Sequence, residues 1–261
     1  MTDWRLGTVG FGYDEWVGSF YAPGLKPSQY LSYYADYFNA VEIDSTFYGL
    51  PREETVARWR EQTPADFRFC PKTPKDITHA AQIMDKLGEM QTFVARVQAL
   101  GAKLGPILLQ FPPSFDLDQV KALTTFVRAL PADVRYALEF RHRSWENPAV
   151  YGLLQAHGAA FVATDYIHLP PLLQVTTDFV YVRFIGEHGR FPLKDQEVLD
   201  QTERLQHWWE QIRPNLPHLS AVYAFFNNDY SGHSPATCNR FKKMAGLRPR
   251  YPEWPTQSTL F

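Results

Sequence analysis

The chain has 261 residues, of which 45% are hydrophobic and 15% aromatic, with a formal net charge of −2 and an isoelectric point near 6.4. This apolar content is sufficient for a sizeable core and argues against an intrinsically disordered chain. The small net charge excludes a general attraction to nucleic acid or to an anionic membrane, and leaves only local basic patches for such partners.

The two cysteines, Cys70 and Cys238, are far apart and belong to no CxxC or CxxH motif. Reduced thiols of this kind are typical of cytosolic proteins. The N-terminal residues have no basic region followed by an apolar stretch, and no segment approaches the ~18 apolar residues of a membrane span. We therefore expect a cytoplasmic protein with no membrane association.

Short apolar runs alternate with longer segments of helical periodicity along the whole chain, which predicts a parallel sheet. We place eight strands, at residues 6–9, 40–43, 67–71, 107–111, 136–140, 160–164, 179–185 and 221–226. Helices are predicted between most of them, at 27–37, 53–62, 85–100, 117–130, 148–157, 196–213 and 235–244. The segment IHLPPLLQVTT is too short and too rich in proline for a full helix, so we expect an irregular crossover between the sixth and seventh strands.

Eight strands in about 250 residues are typical of a (β/α)8 TIM barrel, which we predict as a single domain over residues 1–261. An open doubly wound sheet is the alternative fold, although it usually contains fewer strands. Gly7, Gly10 and Gly12 do not have the spacing of a dinucleotide fingerprint, and an aromatic loop follows them instead of a helix. No nicotinamide cofactor is expected.

Side chains alternate between the two faces of a strand, so the positions of its apolar residues indicate which side chains face the barrel interior. The polar side chains left pointing inward, or into the mouth at the carboxyl ends of the strands, are Glu42, Asp44, Lys72, Gln110, Glu139, Arg141, Asp165, Arg183, Asn227 and Asp229. Burying charges is costly unless they are paired or bind a metal or ligand, and barrels place their chemistry at this end. We therefore predict a functional site here.

A self-neutralising ion-pair network is the alternative explanation for these charges. It would pair Glu139 with Arg141 or Arg183, and Asp165 with Lys72.

The candidate catalytic residues are Glu139, Asp165, His142 and His79. Glu139 is suited to act as general base or metal ligand, with Asp165 or Glu42 as its partner. His79 and His142 are suited to proton transfer because histidine titrates near neutral pH, although a single histidine is more often structural.

The expected substrate-binding residues are of three types. Lys72, Arg141 and Arg183 suit a phosphate or a carboxylate. Asn227 and Asn228 precede the last helix, where barrels often bind phosphate, although a helix cap explains them equally well. The others are the polar Glu42 and Gln110, and the aromatic Tyr13, Tyr48 and Trp145, whose rings would stack on a sugar or base or cap the core.

Seven segments follow one another in this order: GTVGFGYDEWVGSFY, VEIDSTFYGLP, TPADFRFCPKTPKDITH, LGPILLQFPPSF, ALEFRHRSW, YVRF and FNNDYSGHSPATCNRF. Over essentially the whole chain they resemble the YecE-like family, domain of unknown function 72. The resemblance implies a TIM barrel without an established activity. Its architecture is similar, at the level of the fold alone, to the endonuclease IV and xylose isomerase barrels, which use divalent metals, but this chain lacks their dense set of His, Glu and Asp ligands.

Three functions are compatible with the sequence. The first, favoured by the acidic isoelectric point, is an enzyme, a hydrolase or isomerase, that acts on a phosphorylated, sugar-like or nucleic-acid substrate by carboxylate acid/base chemistry, with or without one divalent metal. The second is a non-catalytic nucleic-acid-binding protein that uses the basic residues Lys72, Lys75, Arg141, Arg143, Arg240, Lys242 and Lys243. The third is a scaffold whose aromatic mouth receives a protein segment.

Overall fold

The computed structural model describes residues 2–253, in which nine short strands form. They are β1 (Asp3–Thr8), β2 (Ala40–Ile43), β3 (Arg68–Pro71), β4 (Ile107–Phe111), β5 (Tyr136–Phe140), β6 (Ala160–Phe161), β7 (Ala163–Asp165), β8 (Phe179–Phe184) and β9 (Ala221–Phe226). The bounds of β2, β4, β5 and β9 are those predicted. The predicted sixth strand forms in two pieces because the chain changes neighbour at Val162: β6 pairs with β5, and β7 pairs with β8.

The same residues form nine α-helices: α1 (Tyr30–Tyr37), α2 (Glu53–Glu61), α3 (Lys75–Thr78), α4 (Leu87–Gln98), α5 (Val120–Arg128), α6 (Pro148–Ala156), α7 (Thr202–Ile212), α8 (Asn228–Ser231) and α9 (Ser234–Met244). Seven of them lie in the predicted helical segments. Four begin later than predicted: α1, α4 and α5 each follow a 3-10 turn, at Pro27–Gln29, Ile83–Lys86 and Leu117–Gln119, and α7 begins at Thr202 instead of residue 196. Helix α9 begins one residue earlier than predicted, at Ser234. The four-residue helices α3 and α8 were not predicted.

The crossover between β7 and β8 is irregular, as the two prolines in it indicate. Residues 166–178 form neither helix nor strand. Within residues 2–253 no helix is long and apolar enough to cross a membrane.

Every strand pair is parallel. The strands form a four-stranded sheet in the order β1-β9-β8-β7, a two-stranded sheet of β2 and β3, and a three-stranded sheet in the order β4-β5-β6. Single bridges from Val9 to Glu42 and from Lys72 to Leu108 connect the ends of neighbouring sheets. The predicted α/β fold with parallel strands is confirmed, and closure of the three sheets into one barrel stays a prediction.

Alternation along the strands divides the buried apolar side chains into two clusters. The larger contains Leu138 and Phe140 of β5 together with helix residues such as Phe126 of α5. The smaller contains Ala137 and takes side chains from all three sheets. Glu139 is two residues beyond Ala137 and shares its face, so the strand alternation places this carboxylate as predicted.

Gly7 permits a close approach between β1 and β2. A Cβ atom at this position would lie 1.8 Å from the carbonyl oxygen of Ala40. Glycine is therefore required here for backbone packing and not for binding a nucleotide.

Candidate functional site

The side chain of Arg183, in β8, lies between two glutamates that belong to the other two sheets. Its Nε and Nη2 donate to the carboxylate of Glu42 at 2.9 and 2.6 Å, and its Nη1 donates to Oε2 of Glu139. Tyr181, a residue that the sequence analysis did not select, also donates to Glu42 at 2.9 Å. The three charged side chains are at most 3% exposed. Arg183 therefore links β2, β5 and β8.

Arg141, the first residue after β5, makes a looser contact with Glu139. Its Nε lies 2.5 Å from Oε1, yet neither atom has a hydrogen-bond partner, so this ion pair lacks hydrogen-bond geometry. The guanidinium lies over the ring of Tyr166, 4.4 Å from its centroid. Within the described residues Arg141 donates no hydrogen bond, and since its Nε is buried against Glu139, only the Nη groups are available to an anion.

The neighbouring cations determine the protonation state of Glu139. Burial acts to raise the pKa of Glu139, but the charges of Arg141, Arg183 and Lys72 outweigh burial, and the pKa is lowered. A carboxylate with a lowered pKa is ionised at neutral pH and is a weak base. The surroundings of Glu139 thus favour charge balance over the predicted role of general base.

Lys72 follows β3 and lies next to this network. Its Nζ donates to Oδ1 of Asp44 at 3.2 Å and lies 3.8 Å from the centroid of the Phe47 ring. Burial and then the charge of Arg183 lower the pKa of Lys72, while Asp44 and the two glutamates oppose the effect. This lysine is less strongly held in its ammonium form than a lysine in water.

Several buried polar atoms at the carboxyl ends of the strands lack a hydrogen-bond partner. Besides the two atoms of the Arg141 pair, they include Oγ1 of Thr164 and Oδ1 of Asp229. Leaving a buried polar atom unpaired costs about 1–3 kcal/mol, so such atoms are rare away from sites of function. The unpaired atoms at this end are available to a polar ligand, whereas the unpaired Oη of Tyr136 lies at the other end of β5.

Asp165 does not belong to this cluster, and the prediction that it points inward is wrong. Tyr230 donates to its Oδ2 at 2.6 Å, and Arg204 of α7 binds both of its oxygens. The inward positions after the break at Val162 are Val162 and Thr164, so Asp165 faces the helices. The alternative Asp165–Lys72 pair therefore does not form, whereas Glu139 pairs with both arginines.

The two predicted catalytic histidines are placed differently. His142 is exposed, and its Nδ1 accepts from the backbone N–H of Ser144, so it caps a turn and lies apart from Glu139. His79 is half-buried with its ring 5.4 Å from that of Phe47. Burial, followed by Lys72 and Lys75, lowers the pKa of His79, which leaves it neutral beside the site.

The three aromatic residues predicted to bind a ligand lie in different surroundings. Trp145 is fully buried, donates to the Phe115 carbonyl at 2.6 Å and stacks on Phe140, so it is a core residue and not a binding residue. Tyr48 is 82% exposed. Tyr13 lies at the mouth: burial, and after it Asp44, Asp229 and Glu42, raise its pKa.

Gln110 is adjacent to Glu139 in the ladder between β4 and β5. Its Nε2 donates to the carbonyl of Phe111 at 3.0 Å, and the side chain is 9% exposed. Gln110 therefore lies beside the charged network without joining it.

Asn227 and Asn228 are explained by the helix ends. Asn227 accepts from the N–H of Asp229 and caps α8, and Asn228 accepts from Trp16 and from both donors of Ser234. These contacts agree with the capping alternative, whereas the amide donor Nδ2 of Asn228 is buried without a hydrogen-bond partner.

Asp229 connects α8 to the loop after β8. Its Oδ2 accepts from the N–H of Gly189 at 3.2 Å and lies 3.4 Å from Nδ1 of the exposed His188. Gly186 in this loop has φ +71°, and a Cβ atom there would lie 2.1 Å from the Asp229 carbonyl oxygen. The loop thus packs directly on the backbone of α8.

The residues present do not fit the divalent metal considered from the sequence. Within residues 2–253 no group of three or more His, Cys, Asp or Glu side chains is arranged to hold a metal ion. Glu42 and Glu139, the inward carboxylates, already bind Arg183. We assign no chemical step to a metal.

The basic residues proposed to bind nucleic acid do not form one free surface. Lys242 is 8% exposed and donates to the carbonyl of Tyr37, and Arg240 pairs with Glu197 and Asp200. Nothing in these contacts favours the nucleic-acid alternative.

Comparisons with known proteins place the chain among uncharacterised relatives. Residues 5–259 match the family model described as "Protein of unknown function DUF72". The YecE protein of Escherichia coli K12 is 41% identical over 112 residues, which are 43% of this chain and 41% of that protein. The YunF protein of Bacillus subtilis is 25% identical over 94% of this chain and 97% of its own length.

Solved structures with a similar fold carry the same family description. A DUF72 family protein from Thermotoga maritima has a TM-score of 0.76 and 31% identity, with 94% of this chain and 99% of that chain covered. One from Enterococcus faecalis has a TM-score of 0.73 and 22% identity, with 95% and 99% covered, and so supports the fold alone.

Proposed function

Because the chain belongs to the DUF72 family of proteins without an established activity, we propose its function from the site itself: an enzyme that binds a small phosphorylated or sugar-like anion at the carboxyl ends of its strands. We propose further that residues 1–261 form a single (β/α)8 barrel domain, and we expect it in the cytoplasm, since Cys70 and Cys238 are both free thiols.

Three observations support the closed barrel. Bridges connect β1 to β2 and β3 to β4 across the sheet boundaries. The smaller apolar cluster takes side chains from all three sheets, as the interior of a barrel would. The contacts of Arg183 with Glu42 and Glu139 join the same three sheets.

The observation that most strongly supports an anion site is the state of Arg141. The Arg141 side chain is 13% exposed, its guanidinium lies over the Tyr166 ring, and it donates no hydrogen bond within the described residues. An arginine with free donors at the edge of a buried charge network suits bidentate binding of phosphate or carboxylate. Lys72 would supply a second positive charge to the same anion.

The protonation state of Glu139 and the exposure of Asp44 suggest which carboxylate acts as the proton acceptor. Glu139 is the charge partner of the two arginines, because its lowered pKa makes it a weak base. Asp44, whose side chain is 35% exposed beside Lys72, is accessible to a ligand and replaces Glu139 as the expected proton acceptor. A hydrolase or an isomerase would use this carboxylate and amine pair in general acid/base catalysis.

Calorimetric titration with inorganic phosphate and with glycerol 3-phosphate tests this function. We expect binding to wild type, and a loss of about tenfold or more in affinity in Arg141→Met, because hydrogen bonds to charged groups contribute about 1.5–3 kcal/mol. The matched control is Arg143→Met, two residues away and exposed, which should bind as wild type does. Absence of binding to wild type, or equal binding by Arg141→Met, would refute the assignment.

A further inference from the structure

Two lysines are buried within residues 2–253, Lys72 and Lys242, and they differ in the group that accepts from the amine. Nζ of Lys242 donates to the backbone carbonyl of Tyr37 at 3.2 Å. The Nζ atom of Lys72 has a single acceptor within residues 2–253, Oδ1 of Asp44 at 3.2 Å. Unlike a backbone carbonyl, a carboxylate is a base that can accept a proton from the ammonium.

The surroundings of Lys72 combine an apolar support with opposing charges. The ring of Phe47 lies on one side, 3.8 Å from Nζ, and the residue is 7% exposed. The positive charge of Arg183 lowers the pKa of Lys72, while the negative charges of Asp44, Glu42 and Glu139 raise it. The ring of His79 also contacts Phe47, in an edge-to-face arrangement with 5.4 Å between the ring centroids. Desolvation next to another cation is a recognised way to activate a lysine as a nucleophile.

We propose that Lys72 is a nucleophilic amine that forms an imine with an aldehyde or ketone, so that the ligand of this site is a phosphorylated or carboxylated carbonyl compound. The inference rests on the proposed function, since Arg141 would bind the anionic group of the same molecule. Under this inference the site performs covalent catalysis through Nζ of Lys72, and not general acid/base catalysis alone.

The reaction balances with the groups present. Asp44 accepts one proton from the Lys72 ammonium, and the nitrogen lone pair then attacks the carbonyl carbon to form the C–N bond. The carbonyl oxygen takes that proton back from Asp44 and a second one from the nitrogen, and leaves as water as the C=N bond forms. An ammonium and a carbonyl are thus converted into an iminium and one water, with no oxidant or reductant.

Reductive trapping tests the inference directly. The full-length protein is incubated with dihydroxyacetone phosphate, glyceraldehyde 3-phosphate or pyruvate in the presence of cyanoborohydride, which reduces an imine to a stable amine. Peptide mass mapping then locates the adduct. We expect most of the adduct on Lys72 and little on the exposed Lys75, because a lowered pKa raises the neutral, nucleophilic fraction of the Lys72 amine.

Two variants serve as controls. Lys72→Arg keeps the charge and should lose the adduct, whereas Lys75→Arg should keep it. The distribution of label between Lys72 and Lys75 in wild type is informative even if Lys72→Arg does not fold. No adduct on Lys72 with any of the three probes, or equal labelling of both lysines, would refute the inference.

The glycerol 3-phosphate titration separates this inference from the proposed function. Binding of glycerol 3-phosphate without an adduct on Lys72 would retain the anion site and reject the imine. Labelling of Lys72 without such binding would support the imine and reject phosphate recognition. Failure of both experiments would reject both proposals.

Discussion

Arg183 and Glu42 form a bidentate pair in which Nε and Nη2 of the guanidinium reach the two oxygens of one carboxylate, at 2.9 and 2.6 Å, with both side chains almost fully buried. The third donor, Nη1, binds Glu139. The single positive charge of Arg183 thus faces two carboxylates, and the positive charges of Arg141 and Lys72 also act on Glu139. Such a network holds only while each member is present.

Replacing Arg183 should therefore destabilise the protein strongly. Arg183→Met leaves two buried carboxylates without their main partner, and we expect the free energy of unfolding to fall by about 3–5 kcal/mol. Urea denaturation followed by circular dichroism gives the value. Arg135→Met, which removes the exposed pair with Asp178, is the control and should cost about 1 kcal/mol or less. Similar losses in the two variants would contradict the buried pairing.

His233 should make stability depend on pH in mildly acid solution. Burial lowers the pKa of His233 from 6.5 to about 4, against a smaller opposing effect of Asp195. Between these two pH values the unfolded chain binds a proton that the folded protein does not, so the free energy of unfolding falls as the pH falls, by about 3 kcal/mol.

The measurement is urea denaturation at pH 6.5 and at pH 4. His233→Gln should remove most of this difference. His218→Gln, at an exposed position, should retain it. An unchanged pH dependence in His233→Gln would contradict the assignment.

Asp44 should keep part of the positive charge on Lys72. In Asp44→Asn the carboxylate that opposes deprotonation is lost, so the pKa of Lys72 should fall further. Nuclear magnetic resonance of protein with isotopically labelled lysine follows this titration, and Lys72→Arg identifies the signal. A pKa that stays the same or rises in Asp44→Asn would show that the two side chains do not interact in solution.

Gly186 should tolerate no side chain. Gly186→Ala combines a positive φ with a clash against the Asp229 carbonyl, and we expect a loss of about 2–5 kcal/mol in the free energy of unfolding. Gly189→Ala is a matched control, since its φ of +74° is similar and no atom lies within 4 Å of the added Cβ. Thermal or urea denaturation compares them. Equal losses would mean that the loop does not pack on α8.

The strands were predictable because their apolar runs are short and are separated by helical periodicity. β2, β4, β5 and β9 begin and end at the predicted residues. The break at Val162 was not predictable, because it arises where the chain exchanges one neighbouring strand for another, and no local residue pattern encodes that exchange.

Strand alternation also predicted part of the site. Glu42, Glu139 and Arg183 lie together because each sits at an inward position of a regular strand. The prediction failed for Asp165, because the alternation continues unchanged from Ala160 through Val162 and puts Asp165 on the outer face of the strand. Trp145 ends the 3-10 turn Arg143–Trp145 and His142 precedes it. No strand or helix periodicity extends over this turn, so the sequence does not reveal that Trp145 is a core residue and that His142 caps the turn.

The separation of the Arg183 contacts along the chain also affects how fast the protein unfolds. Arg183 lies 141 residues from Glu42 and 44 from Glu139. During folding, contacts across such separations form only after long loops have closed. We therefore expect the guanidinium of Arg183 to stay hydrated until the three sheets come together. Interactions made after the transition state slow unfolding and leave the folding rate nearly unchanged. We therefore expect the buried charge network to slow unfolding and so to lengthen the lifetime of the folded protein.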